Sequence, residues 1–277
     1  MKNKILKFLL IILLIALVIT LYGVYLEPKT FKTNEIKIIS NIPDNYDGFK
    51  IVHISDIHYG RTISKEMLED IVTEINLNKP DIVVLTGDLF NKNVTYNEEN
   101  ISDITNVLKR IETKLGKYII KGDNDTSDKW DEVITNSDFI NLNDTYNLIF
   151  DNNSTPILIS GISSNSKYGE INEKLAKIND DTKNINSCYK ILIMHEPDYV
   201  DNIDVNGFNL ILAGHSLGGI YIPIKGLINL PEGATKYTNG HYKINETDLY
   251  VSNGLGTDNI KFRFMNRPSI NFYRITK

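Results

Sequence analysis

Cysteine is almost missing from this chain: Cys188 stands alone among 277 residues. A single thiol closes no intramolecular disulfide, so the fold must stand on its own core. Cys188 adjoins Tyr189 at the entry to an apolar run and reads as a small buried hydrophobe, with no cysteine-hydrolase signature around it. Blocks of Lys and Arg are missing outside the N-terminus, and the formal net charge is −5. That excludes an ordinary nucleic-acid binder, because a phosphate backbone calls for a basic surface. Trp130 is the only tryptophan, and the tyrosines show no platform pattern on which bases would stack. Internal repeats and low-complexity linkers are also missing. Hydrophobic residues make up 42% and charged residues 23%, the composition of a folded domain and not of a disordered chain.

What the N-terminus does have is a long apolar run. Residues Ile5 to Tyr25 read ILKFLLIILLIALVITLYGVY, with Lys7 the one charge in it. About 20 apolar residues at ~1.5 Å rise span the ~30 Å hydrocarbon core of a bilayer. Lys2, Lys4 and Lys7 precede or open the run, and the next basic residue is Lys29. The positive-inside rule therefore predicts a single-pass anchor (1–27) in the cytoplasmic membrane, with the N-terminus inside and the remaining domain (28–277) outside. A cleaved signal peptide is the competing reading. Its apolar region is usually ~7–15 residues and ends in a small-x-small site, which Leu21 to Tyr25 does not offer.

Beyond Gly48, short β-branched runs alternate with amphipathic stretches, the pattern of βαβ units. Strands are predicted at Ile51–Ser55, Ile82–Thr86, Tyr118–Lys121, Ile157–Ser160, Ile191–Met194 and Leu210–Ala213, with an edge strand at Glu35–Ile39. Helical spacing covers Ser64–Leu77 and Glu99–Leu115; in the first, Ser64 is the expected N-cap and Met67, Leu68, Ile71, Val72 and Ile75 form one stripe. From Gly218 onward the chain carries no helical stripe. It reads as antiparallel strands around Ile220–Pro223, Tyr242–Ile244, Leu249–Ser252 and Ile270–Ile275. The expected fold class is one α/β domain with a sandwich-like core of two sheets.

The chemistry follows the apolar runs. The first ends in Asp56-Ile57-His58, the next in Gly87-Asp88, the third in Gly122-Asp123-Asn124-Asp125. Later runs end in His195-Glu196-Pro197 and Gly214-His215-Ser216-Leu217. In an α/β sheet ligands bind at the carboxyl ends of strands, so these carboxylates and imidazoles converge on one edge. Together they are the donor set that borderline divalent metals prefer.

In this order the motifs resemble those of the calcineurin-like metallophosphoesterases: Asp-x-His, Gly-Asp, Gly-Asn-His-Asp/Glu, His, Gly-His-x-His. The segments "GFKIVHISDIHYG", "PDIVVLTGDLF", "LIMHEPD", "LILAGHSLGG" and "YVSNGLGTDNIKFRFMNRPSI" are similar in particular to its membrane-associated bacterial branch, the YkuE/YaeI type. The resemblance implies a four-layer sandwich of two mixed sheets flanked by helices. It also implies hydrolysis of a phosphodiester or pyrophosphate by a metal-activated water, with a phosphorylated small molecule or a lipid-linked compound as substrate. Two divalent ions are implied, with manganese, iron, zinc and magnesium not distinguished. Asp56 and His58 would hold the first ion, Asp88 would bridge and take part in catalysis, and Asp123, His195 and His215 would hold the second.

Three positions depart from the family pattern. Asp123 stands where the family has an asparagine, a charged donor for a neutral one, which should still bind metal but weakens water activation. The last metal-binding histidine falls on Leu217, which coordinates nothing. Asn124 stands where the family has a catalytic histidine; an amide donates a hydrogen bond to a phosphoryl oxygen but is no general acid near neutral pH. These departures leave a metal-binding protein with impaired turnover, acting as a tethered binding or sensor domain, as the alternative function. Arg263 matches a basic residue of the branch and, with His241, is the candidate for meeting a substrate phosphate; His241 could also replace the lost donor. His53, inside an apolar strand, reads as packed.

Overall fold

The computed structural model describes residues 2–151, 155–164, 168–187, 189–220 and 230–277. Helix α1 (Lys2–Leu21) runs on through a π-turn at Tyr22–Leu26 and a tight turn at Glu27–Lys29. It is the one helix among the described residues long and apolar enough to cross a membrane, and none of its most apolar stretch is buried against the protein.

The rest packs in four layers around two six-stranded sheets. The strands of the first are β1 (Lys32–Ile39), β2 (Phe49–Ile54), β3 (Ile82–Leu85), β4 (Gly116–Ile119), β5 (Ile140–Asn141) and β12 (Ser269–Thr276), in the order β1-β12-β2-β3-β4-β5. The second holds β6 (Thr145–Ile149), β7 (Ile157–Ile162), β8 (Tyr189–Met194), β9 (Leu210–Ala213), β10 (Gly240–Ile244) and β11 (Thr247–Val251), in the order β10-β11-β9-β8-β7-β6. Both sheets are mixed.

Strand alternation explains the layering. Successive side chains point to opposite faces. Val52, Ile54, Val83 and Leu85 thus meet helices α2 (Lys65–Leu77), α3 (Glu98–Lys109) and α4 (Trp130–Asn136), while Ile51, Ile82 and Val84 face the second sheet. Across that seam lie Ile159, Ile191, Ile193 and Leu212. The outward set of the second sheet, Leu158, Leu192 and Ile211, packs against Ile171 and Leu175 of helix α5 (Tyr168–Thr182). Each such fully buried side chain contributes roughly 1.5–3 kcal/mol of transfer free energy.

Ser64 caps α2 as expected, its Oγ accepting from Met67 N at 3.4 Å. The second predicted helix is shorter than its apolar pattern. It stops at Lys109 because Asn76 captures the chain beyond it, its Nδ2 donating to Arg110 O (2.8 Å) and its Oδ1 accepting from Glu112 N (2.9 Å). The C-terminal strands are not all antiparallel. β11 pairs with β10 antiparallel but with β9 parallel, and β12 crosses to the first sheet, parallel to β1 and antiparallel to β2. The strand expected around Ile220–Pro223 and the environment of Cys188 lie outside the described residues.

Candidate metal centre

Several of the turns that leave these strands pass through left-handed backbone. Asp56 (φ 52°), His58 (φ 44°), Asp88 (φ 57°), His215 (φ 67°) and Leu217 (φ 49°) all lie in that region, at a cost of order 1–3 kcal/mol for a residue with a Cβ. The surrounding main chain holds the turns. Asp56 N donates to Gly87 O (3.0 Å), His58 N to Asp88 O (2.9 Å) and Gly256 N to Asp56 O (2.6 Å). Gly87 (φ 95°) and Gly122 have no room for a side chain, because His195 and Asp88 press against their backbones. The turns swing the polar side chains into a cleft of about 330 Å³ at the carboxyl edge of the sheets.

Two groups of donors meet there and share Asp88: Asp56, His58 and Asp88 form one, Asp88, Asp123, His195 and His215 the other. His58 Nε2 lies 3.5 Å from Asp88 Oδ2, and His195 Nε2 lies 3.4 Å from both Asp88 Oδ2 and Asp123 Oδ1. His215 Nδ1 is 3.3 Å from Asp123 Oδ1. A carbonyl oxygen only accepts, so the ring nitrogens facing one must carry the proton. His195 Nδ1 donates to Thr86 O (2.6 Å) and His215 Nε2 to Glu232 O (2.9 Å). With each ring neutral, its bare nitrogen faces the cluster, the orientation a metal ligand needs; these two nitrogens lie 3.1 Å apart.

Charge and burial agree with a cation site. Asp123 Oδ1 is buried and accepts no hydrogen bond, which is costly for a carboxylate unless a positive charge sits beside it. Burial alone would lower the His195 imidazole, but Asp88 and Asp123 outweigh it and hold it well above its ordinary value. His215 is raised in the same way, burial being overcome chiefly by Asp123. Burial raises the Asp56 carboxyl, and the charge of Asp88 adds to it. Oxygen and imidazole donors in this mixture suit divalent cations.

Asn124 lines the cleft beside the shared carboxylate. Asn124 is 4% exposed, and its N and Nδ2 donate to Asp88 Oδ1 (2.8 Å) and Oδ2 (2.9 Å). It clamps the shared carboxylate. Asp125, which the sequence left without a role, accepts from Asp88 N, Phe90 N and Gly122 N, each at 2.9 Å. Burial and the Asp88 charge push its carboxyl up to about 7 against those donors. Leu217 fills the family histidine's place, 4% exposed, with its methyl group close to Gly254 beside Asp56.

Arg263 and His241 do not reach the cleft. Arg263 is 0% exposed, and its guanidinium donates to Gly256 O and Asn266 O, tying a loop together. His241 sits on β10, the outer strand of the second sheet, paired with Asp248 at 2.7 Å and stacked on Tyr250. The cation at the cleft is instead Lys92, whose Nζ lies 3.4 Å from Asp123 Oδ2. Its only sequence signal was its position shortly after the Gly87-Asp88 turn. His53 is packed as expected, 0% exposed, with Nε2 2.8 Å from Thr86 Oγ1.

The stretch of chain that carries these turns is the one that other proteins match. The sequence profile of the family described as calcineurin-like phosphoesterase matches residues 49–219. The uncharacterized metallophosphoesterase YkuE of Bacillus subtilis is 30% identical over 264 residues, covering 92% of this chain and 88% of that protein. An uncharacterized metallophosphoesterase of Campylobacter jejuni is 29% identical, covering 82% of this chain and 59% of its own length. A transmembrane protein with metallophosphoesterase domain from Danio rerio is 26% identical, covering 93% and 60%. This chain thus spans about three fifths of the latter two. A match over more than half the chain, running through every donor turn from Asp56 to His215, makes this protein a member of the calcineurin-like phosphoesterase family.

Proposed function

We propose that the chain hydrolyses phosphoric esters, phosphodiesters or pyrophosphates, at the outer face of the cytoplasmic membrane, with divalent ions held by Asp56, His58, Asp88, Asp123, His195 and His215. The observation that carries this reading is the pair of donor groups sharing one buried carboxylate. A pair of such ions, when bound, acidifies a water and neutralises charge on the oxygens around phosphorus.

The chain's own residues supply position. Asn124 fixes both oxygens of Asp88, and main-chain carbonyls fix the rings of His195 and His215. Lys92 stands at the cleft with a cation for a phosphoryl oxygen. No side chain at position 124 protonates a leaving group, so esters of acidic alcohols and pyrophosphates are favoured. Helix α1 supports action at the membrane, since an anchored domain meets membrane-bound substrates at raised effective concentration.

Leu217 favours a second reading: a tethered binding or sensor domain that keeps a cation and turns over little. One experiment separates the two. The full chain in detergent is assayed for bound metal and for hydrolysis of bis(p-nitrophenyl) phosphate with added manganese. Turnover that Asp88→Ala abolishes establishes the enzyme. Bound metal without turnover, even in excess manganese, establishes the binding domain.

A further inference from the structure

The end of the apolar helix is fastened to the loop that rims the cleft. Glu27, 1% exposed, turns its carboxylate onto the main chain, Oε2 accepting from Met265 N (2.9 Å) and Oε1 from Asn266 N (2.5 Å). Arg263 N donates to Gly23 O (2.9 Å), and the Phe262 ring lies directly against the Gly23 backbone. Tyr22 meets Phe264 edge to face, with centroids 6.3 Å apart. The same loop reaches the cleft: Asn259 and Ile260 line it, and Asn266 Nδ2 donates to Leu217 O (2.6 Å).

Sheet topology sets the direction in which the cleft faces. β1 is parallel to β12, and β12 is antiparallel to β2. The start of β1, just beyond α1, therefore lies at the carboxyl end of β2, the edge from which Asp56 and His58 project. On that edge Ile260 is 58% and Met265 73% exposed, while Lys29, Lys261 and Arg267 are exposed around them. Apolar side chains ringed by basic ones partition into the headgroup layer of a bilayer. Leu77, 72% exposed, lies at the opposite edge, where α2 ends before β3 begins.

We propose that Asn259–Met265 is an interfacial foot: Ile260 and Met265 rest in the headgroup layer of the bilayer that holds α1, and the cleft opens onto that layer to take a phosphoester in a membrane lipid headgroup. This rests on the anchored-phosphoesterase reading above and adds the substrate class and the surface that presents it.

The test uses the full chain in vesicles of phosphatidylcholine and phosphatidylglycerol with brominated acyl chains. Tryptophan is introduced singly as Leu13→Trp, Leu77→Trp, Ile260→Trp and Met265→Trp; the native Trp130 is 0% exposed and gives a constant background. Strong quenching at position 13, clear quenching at 260 and 265, and none at 77 are expected. Quenching at 13 with 260 and 265 as silent as 77 overturns the foot and leaves the anchor standing. Silence at 13 overturns both.

Turnover supplies the second measurement. Met265→Asn suits the left-handed backbone there (φ 56°) and removes the apolar side chain. It should leave hydrolysis of soluble bis(p-nitrophenyl) phosphate unchanged and lower hydrolysis of phosphatidyl-p-nitrophenol in vesicles by about tenfold. Equal effects on both substrates overturn the foot. A wild type that cleaves the soluble diester but not the vesicle substrate overturns the lipid assignment while the phosphoesterase reading stands.

Discussion

The two halves of the cleft are built to different standards. Around Asp123, four donors gather, two of them imidazoles whose rings are braced by Thr86 O and Glu232 O. Around Asp56 there are three donors, one of them an imidazole, and Leu217 closes the fourth side. The Asp56 half is the drier, with Asp56, His58 and Asp88 all 1% exposed or less, while the Asp123 side chain is 31% exposed. A dry pocket strengthens attraction between a cation and its ligands, but it also raises the cost of any coordination position left unfilled. Ligand number therefore matters most in the half that has fewer. Cations should fill the Asp123 half first, and the Asp56 half should depend on Asp88 and water.

Asp88→Ala should erase the distinction, because it removes the one ligand common to both halves and orphans the Asn124 donors. Bound manganese should fall to background, and turnover should drop by more than the roughly 10- to 100-fold typical of losing an outer-sphere partner. Retained stoichiometry in a metal analysis of the purified variant would show that Asp88 does not bridge.

His195→Ala and His58→Ala separate the halves. The first should weaken the tighter ion by at least ~100-fold, the upper end of what even an outer partner costs. The second should leave that ion bound and remove only the weaker one. Manganese titrations that show the reverse order would invert the ranking.

Leu217→His should narrow the gap. Histidine tolerates the left-handed backbone at φ 49° better than leucine does. The added imidazole should raise affinity in the Asp56 half by about tenfold or more, on the order of 1.4 kcal/mol. Unchanged metal content and turnover would mean that the new ring does not face the ions.

The effect that touches the ions least lies under the site. Burial pushes the His53 imidazole from its ordinary 6.5 down to about 3. Below pH 6.5 the unfolded chain binds a proton that the folded chain refuses, so stability falls as pH drops and levels off near 3. The slope contributed is at most about 1.4 kcal/mol per pH unit. His53→Gln should flatten that part of the stability profile measured by urea denaturation, while metal content stays as in the wild type.

Much of this was readable in the residues, and the failures have physical causes. The donor turns announced themselves because five of the apolar strands end where a carboxylate or imidazole begins, and local spacing carries that signal. Order within a sheet is not local. Nothing near His241 says that β10 lies on the outside of the second sheet, so a free histidine looked like a spare ligand. Arg263 misled for the opposite reason: a guanidinium in a polar loop usually faces solvent, whereas here backbone carbonyls surround it. The partners Thr86 O, Glu232 O and Asn76 left no mark because they act through main-chain atoms or across long sequence separations. Helix α5 did carry a stripe, Ile171, Leu175 and Ile178, diluted by acidic and amide residues.

The left-handed turns have a consequence for how such a protein changes over time. Backbone bonds among Asp56, Gly87, Asp88 and Gly256, not the ligand side chains alone, maintain these turns. They behave as sockets whose shape outlives their contents. Leu217 occupies one such socket, bonded through its carbonyl to Asn266, and the scaffold around it stays in register. A lineage on this scaffold can give up one coordination position, or regain it, by a single substitution without relearning how to fold.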